Sequence, residues 1–358
     1  MHPSFGSSFN SWCRLLYENR FCIHPFHLPK ILYLSVGIFS NIPFVIWEKI
    51  WYSKRIKETK ISSPVFITGY YRSGTTYLHY LLTKDKQFNY CATYQVLMPH
   101  VFLTLGRFVK CILRKFLPRT RLMDHMKLDV SLPKEEEFAM ANISQASLVN
   151  GYYFPKNINS YFTRYVLFDA DEKYIREWKM KVNYFLKKVS FANPGKSLII
   201  KSPCNTARIK EIRELYPDAK FINIHRNPYE VYYSNVNLYE TILPFFSFQK
   251  INEGQIKEFI LSSYEEVYKK YLDRISSLPS EDYVDISYEE LVQDPMVTLR
   301  KVYSKLGMQG FQAAYPYIQA EVKANENYSR NKFVMKENVK EEIYNRWKFM
   351  FDYWGYEK

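Results

Sequence analysis

The chain has 358 residues, 47% hydrophobic and 18% aromatic, and its 50 Lys and Arg exceed its 36 Asp and Glu to leave a net charge of +14. That content can bury a large core as one large or two modest domains, and the positive balance suits an anionic nucleotide or an anionic surface. The basic residues are scattered, with no zinc-finger or aromatic RNA-binding signature, which excludes a nucleic-acid role.

The first 60 residues differ from the rest. Residues 31–47 are uncharged and mostly apolar, interrupted by Gly37, Asn41 and Pro43, and Lys49, Lys54, Arg55, Lys57 and Lys60 follow. The length is borderline for a membrane span. The opening Met1-His2-Pro3-Ser4-Phe5-Gly6-Ser7-Ser8 lacks a basic stretch, so no cleaved signal peptide is expected. The proline and aromatics suit a broken interfacial segment, and residues 1–60 read as an extension: either a membrane-surface segment or a helical lid over an apolar acceptor cleft. If the segment did span, its basic cluster would keep the remainder cytoplasmic.

Pro64-Val65-Phe66-Ile67-Thr68-Gly69-Tyr70-Tyr71-Arg72-Ser73-Gly74-Thr75-Thr76-Tyr77 is an apolar β-type run that breaks into a glycine-bounded loop and then a helical pattern. Gly69 and Gly74 frame four residues as in the strand–loop–helix nucleotide motif, but Thr75 stands where that motif carries its lysine. That lysine reaches the β- and γ-phosphates of a triphosphate, so this cradle suits a shorter anionic chain. Backbone amides, the Ser73, Thr75 and Thr76 hydroxyls, the helix N-terminus and Arg72 together suit one phosphate and an adjacent sulfuryl or phosphoryl group. Taken alone, the loop also fits an ordinary strand–turn–helix.

Further along, a strand is expected at 91–95, and Pro133-Lys134-Glu135-Glu136-Glu137-Phe138 reads as an acidic helix start. Helical spacing puts Glu137 beside the apolar stripe of Phe138, Ala141, Gln145 and Leu148, with Glu135 and Glu136 further toward solvent or a cationic site. Burial next to two like charges would raise the Glu137 pKa into the range useful to a base. Ser197-Leu198-Ile199-Ile200-Lys201 is a short apolar strand ending in a lysine, and Lys220-Phe221-Ile222-Asn223-Ile224-His225 is a buried strand. Arg226 ends the latter. Arg226-Asn227-Pro228 then opens a Pro-initiated helix that carries Ser234, an arrangement that sets Arg226 and Ser234 around one anion and implies a second phosphate site. Ile256, Phe259, Ile260, Tyr264, Val267, Tyr268, Tyr271, Leu272 and Ile275 form one apolar helix stripe. Asp294-Pro295 caps and begins a helix through Val297, Leu299, Val302 and Leu306. Strands at 64–69, 91–95, 197–202, 220–225 and 282–287 alternate with these helices, which predicts one α/β domain over 61–358 with a mostly parallel sheet. The five cysteines (Cys13, Cys22, Cys91, Cys111, Cys204) are odd in number without CxxC spacing, which fits a reduced cytoplasm, and Cys204 reads as a small buried thiol. The seven histidines have no metal-ligand spacing, and no metal is implied.

These motifs resemble the sulfotransferases that use 3′-phosphoadenosine 5′-phosphosulfate (PAPS). In that family a strand–loop–helix holds the 5′-phosphosulfate and an R-N-P-x-x-x-x-x-S segment holds the 3′-phosphate, matched here by Arg72-Ser73-Gly74-Thr75-Thr76 and by Arg226 with Ser234. Lys201 matches the lysine near the transferring sulfuryl group, Tyr77 the adenine-stacking aromatic, and Tyr288-Glu289-Glu290-Leu291…Asp294-Pro295 the segment whose tyrosine approaches the adenine. Ser329-Arg330-Asn331-Lys332 is similar to a late basic segment that closes over the 3′-phosphate, and would bring Arg330; a solvated charge run is the plainer reading. The tail from Phe351 to Tyr356 and the acidic start before Phe138 are similar to a bacterial branch. The resemblance spans roughly residues 61–356. It implies a P-loop-like three-layer αβα sandwich with a mostly parallel central sheet, and in-line sulfuryl transfer with PAPS as donor.

Under that resemblance Arg72 and Lys201 neutralise charge on the bridging oxygen. Cytosolic members carry a histidine two residues after the matched lysine, where this chain has Pro203, so the base is sought in Glu137, Glu136 or His79. Ile242-Leu243-Pro244-Phe245-Phe246-Ser247-Phe248 and the apolar N-terminal segment would wall a flat hydrophobic alcohol such as a sterol or lipid, or serve only as packing. A saccharide acceptor, a P-loop-type phosphotransferase and a noncatalytic nucleotide-binding membrane adaptor are the competing readings. A cytoplasmic location with peripheral membrane contact is expected, and the oligomeric state is left open.

Overall fold

The computed structural model describes residues 2–326 and 333–358. Its contacts divide the chain into two compact units. One comprises residues 62–88, 197–240 and 253–358; the other comprises residues 1–61, 89–196 and 241–252.

The sheet has the strands β1 (Val65–Thr68), β2 (Phe88–Tyr90), β3 (Ser197–Lys201), β4 (Lys220–His225) and β5 (Tyr283–Ser287) in the order β2-β3-β1-β4-β5. β1 pairs in parallel with β3 and with β4, and β4 in parallel with β5, with Phe66 opposite both Ile200 and Phe221. All four residues of β1 are buried, as befits a central strand covered on both faces. This is the mostly parallel P-loop-like αβα architecture expected. Four of the five expected strands stand where the apolar runs lie. The fifth is shifted: residues 93–97 are helical, because the Gln95 side chain turns back to accept from the Ala92 amide at 2.8 Å, and the strand occupies Phe88–Tyr90 instead.

The expected helices of this unit form with their signals. Glu253–Ile275 buries the predicted stripe apart from half-buried Leu272. Asp294 caps Pro295–Lys305 by accepting from the Met296 and Val297 amides at 3.1 and 3.0 Å. Leu299, Val302 and Leu306 are core, whereas Val297 is exposed.

The other unit is helical. The extension folds as Phe9–Glu18, Leu28–Ser40 and Ile42–Glu58, and packs with Gly106–Phe116, Glu137–Ile143, Val149–Tyr153 and Glu172–Ala192. Ser8 caps the first of these helices. Trp12 is buried, and its indole nitrogen donates to Ser35 at 2.9 Å. Buried Lys188 pairs with buried Glu48, which also accepts from the Leu103 and Thr104 amides at 2.9 and 2.8 Å. An ion pair removed from water needs such additional donors to offset its desolvation. Of the aromatic stretch at 242–248, Leu243 and Phe248 are core, with Phe248 between His2, Trp12 and Phe154, while Phe245 is exposed.

Candidate functional site

The C-terminal ends of β1, β3 and β4 lie side by side in the sheet and deliver the loop at 69–74, Lys201 and Arg226, which is where open parallel sheets bind ligands. Gly69 and Gly74 adopt φ of +128° and +98°, and Arg72 between them sits at +71°. A Cβ on Gly69 would collide with the Ile224 carbonyl, and one on Gly74 with the Tyr288 ring, so both positions demand glycine. No side chain caps the Thr75–Leu82 helix that follows. A helix start of this kind, with the positive end of the helix dipole behind it, suits an anion.

The loop is fastened from several directions. The Gly69 amide donates to Thr206 Oγ1 at 2.8 Å, the Tyr70 amide to the Tyr268 hydroxyl at 3.1 Å, and Asn235 to the Tyr71 carbonyl at 2.8 Å. Tyr71 also shares a 3.0 Å hydrogen bond with buried Cys204. Arg72 Nε donates to Ser234 Oγ at 2.9 Å, and Arg226 reaches the Arg72 carbonyl at 3.4 Å. The R-N-P segment and the first loop are thus one connected arrangement.

Arg226 is forked onto Glu230 one helical turn away, with Nε to the carboxylate at 2.7 Å, and its guanidinium stacks 4.6 Å from the Tyr288 ring centre. Tyr288 therefore touches both the last glycine of the cradle and the arginine of the second loop. Tyr77 is half-buried in the first helical turn, and burial together with neighbouring Tyr288 pushes its hydroxyl up to about 12. Lys201 is buried and donates to Thr76 Oγ1 at 3.4 Å, while Ser73 and Thr75 are buried in the loop and at the helix start.

Behind the second loop lies a relay whose tail and Glu289 segment stood out by resemblance but whose contacts had no sequence signal. His225 stacks on Trp354 at 4.3 Å and hydrogen-bonds the Tyr356 hydroxyl at 2.8 Å; Tyr356 donates to Glu289 at 3.1 Å, and Glu289 accepts from the Asn227 amide at 3.2 Å. Glu230 was legible as the i, i+4 partner of Arg226. Thr206, Tyr268, Asn235 and the relay are long-range contacts that no local pattern announces.

The candidates for the base fall in different places. His79 is buried in the Thr75–Leu82 helix. Glu136 and Glu137 belong to the helical unit, and both are buried, so of the two orientations expected for Glu136, toward solvent or toward a cationic site, burial removes the first. Glu137 accepts from the Leu148 amide at 3.0 Å, and Ser147 donates to its backbone carbonyl at 2.9 Å. The predicted stripe from Phe138 to Leu148 is broken. Its helix ends at Ile143, because Ser144 and Ser147 bind the backbone amides of Ala146 and Val149 and compete with helix propagation. Arg330 lies outside the described residues.

Comparison with known proteins bears on the family and the fold. Residues 64–313 match the model of the sulfotransferase family. The chain is 29% identical over 99% of its length, and 91% of the relative's, to an omega-hydroxy-beta-dihydromenaquinone-9 sulfotransferase, Stf3, of Mycobacterium tuberculosis. Its fold is similar to the sulfotransferase STF9 of Mycobacterium avium, with a TM-score of 0.71, 16% identity, and coverage of 92% of this chain and 86% of that one. It is also similar to the sulfotransferase STF1 of Mycobacterium tuberculosis, with a TM-score of 0.68, 16% identity, and coverage of 96% and 93%.

Proposed function

The chain belongs to the sulfotransferase family, and from that premise we propose that it transfers a sulfuryl group from PAPS to the hydroxyl of a lipid-like alcohol. The observation that carries the donor is the Arg72–Ser234 hydrogen bond, which ties the glycine-bounded cradle to the R-N-P segment and so couples two anion sites. A nucleotide with phosphates at both the 5′ and 3′ positions fits two such sites; a triphosphate lacks its lysine here.

In this reading the cradle amides with Ser73, Thr75 and Thr76 hold the 5′ end, Arg226 and Ser234 hold the 3′-phosphate, and Tyr77 and Tyr288 flank the adenine. The donor supplies an activated sulfuryl group to the attacking acceptor oxygen. Arg72 and Lys201 would act on charge that builds up during transfer, so their removal should cost turnover more than affinity. Glu137, Glu136 or His79 would take the acceptor proton. The acceptor assignment is supported by the mycobacterial relative, whose name specifies a hydroxylated dihydromenaquinone. A cytoplasmic enzyme working on a membrane-borne alcohol is consistent with both.

Titration calorimetry with PAP, the desulfated nucleotide, against ATP and GTP tests the donor. PAP should bind and the triphosphates should not, and Arg226→Ala or Ser234→Ala should weaken PAP by about tenfold to a hundredfold, as expected for a lost charge-assisted phosphate contact. Preferential ATP binding would overturn the donor. Labelled PAPS offered to isoprenoid alcohols, sterols and saccharides tests the acceptor, and transfer to saccharides alone would overturn it.

A further inference from the structure

Residues 25–58 carry apolar side chains on two opposite faces. In the Leu28–Ser40 helix, Leu34 and Ile38 are buried, while Leu28, Leu32, Val36 and Phe39 recur at helical spacing on the other side and are 54–67% exposed. In the Ile42–Glu58 helix, Glu48 and Ile56 face inward, while Phe44, Trp47, Ile50 and Trp51 face outward at 45–73% exposure, with the two indoles 6.0 Å apart. Soluble monomers rarely leave so much contiguous apolar surface uncovered.

We propose that this outer face docks on an anionic phospholipid bilayer, with both helices lying in the interface. The occupant is chosen by chemistry. Paired tryptophans suit the boundary between headgroups and acyl chains. The apolar half of the second helix gives way to Lys54, Arg55 and Lys57, which would meet anionic headgroups. The neighbouring Gly106–Phe116 helix shares a core cluster with Val45 through Val109 and Leu113, and adds exposed Phe108 and Phe116 together with Arg107, Lys110, Arg114 and Lys115. A second copy of a chain with net charge +14 would be repelled by the same basic residues.

The geometry also argues against a span. By length and apolar composition residues 25–58, whose two helices meet at Asn41, would suffice for a span, but their packing opposes one. Crossing the bilayer would pull Glu48 away from Lys188 and from the Leu103 and Thr104 amides.

Co-sedimentation of the full chain with phosphatidylcholine vesicles, with and without about 30% phosphatidylglycerol, is the test. Binding should require the anionic lipid and weaken at high salt. Trp47→Ser/Ile50→Ser/Trp51→Ser should lower the partition coefficient by about tenfold or more, and Lys54→Glu/Lys57→Glu should remove most of the salt dependence. PAP affinity should be unchanged in both, which shows that they fold. The reading of the nucleotide site is not at stake, since PAP binding is measured separately. Absence of binding to anionic vesicles, or wild-type binding by the triple variant, overturns the proposal. A self-associating chain that the triple variant renders monomeric, without vesicle binding, assigns the face to a second copy instead.

Discussion

Arg72 and Arg226 show how single residues are fixed in place at the candidate anion site. A left-handed backbone costs an ordinary residue on the order of 1–3 kcal/mol, and Arg72 meets that cost through its own hydrogen bond to Ser234 and the Arg226 contact to its carbonyl. Arg226 is nearly buried, whereas Glu230, which occupies its fork, is partly exposed. A phosphate arriving at Arg226 must share or displace that carboxylate. Glu230→Gln should therefore tighten PAP by about twofold to fivefold, the scale of a partly exposed ion pair, with the gain shrinking as salt rises. Calorimetry across a salt series checks this, and weaker PAP binding would show that Glu230 orients Arg226 instead of competing for it.

At the scale of elements, the junction after Glu137–Ile143 combines an architectural task with a candidate chemical one. The Glu137 carboxylate receives the Leu148 amide ahead of the Val149–Tyr153 helix. A glutamine keeps an oxygen that accepts this bond but cannot take a proton. Glu137→Gln should thus preserve the melting temperature and, if Glu137 is the base, lower kcat by about a hundredfold or more, whereas Glu137→Ala should lose both. Steady-state kinetics beside a melting curve separates the two effects. Normal turnover in Glu137→Gln with collapse in Glu136→Gln would move the role to Glu136. On the other unit, the stacking of Trp354 on His225 and the Tyr356–Glu289–Asn227 relay bind the last helix to the R-N-P segment, so the chain's end supports a loop far from it in sequence.

For the whole molecule, buried neutral histidines set the response to acid. Burial, with Lys30 nearby, pushes His2 down to about 3; burial, with Lys188 nearby, pushes His100 to about 4; burial, then Lys301, pushes His225 to about 3. Because the folded chain keeps these rings neutral, the unfolded chain binds more protons below its own histidine pKa of about 6.5. Their contribution is complete above that pH and is lost as pH falls toward 3–4. Chemical denaturation at pH 7.5 and 5.0 should show a loss of up to about 2 kcal/mol per ring, and His225→Gln should make the decline shallower. A stability flat across that interval would mean that the rings gain protons without unfolding the chain.

Much of the site was written locally. The cradle, the R-N-P segment, the lysine at the end of β3 and the Asp294 cap depend on backbone freedom at glycine, a fixed φ at proline and side chains that bind their own neighbouring amides, all of which act within a few residues. Apolar runs likewise announced β1, β3, β4 and β5. Tertiary structure decided what a pattern of periodicity leaves open, namely which partner covers a buried face. It gave Arg72 to Ser234 across more than 160 positions, turned Glu136 inward, and moved the edge strand to Phe88–Tyr90. It also decided that the helices of residues 25–58 bury only one of their two apolar faces, since composition reports that a face is apolar while only the packed neighbours determine whether water, protein or lipid meets it.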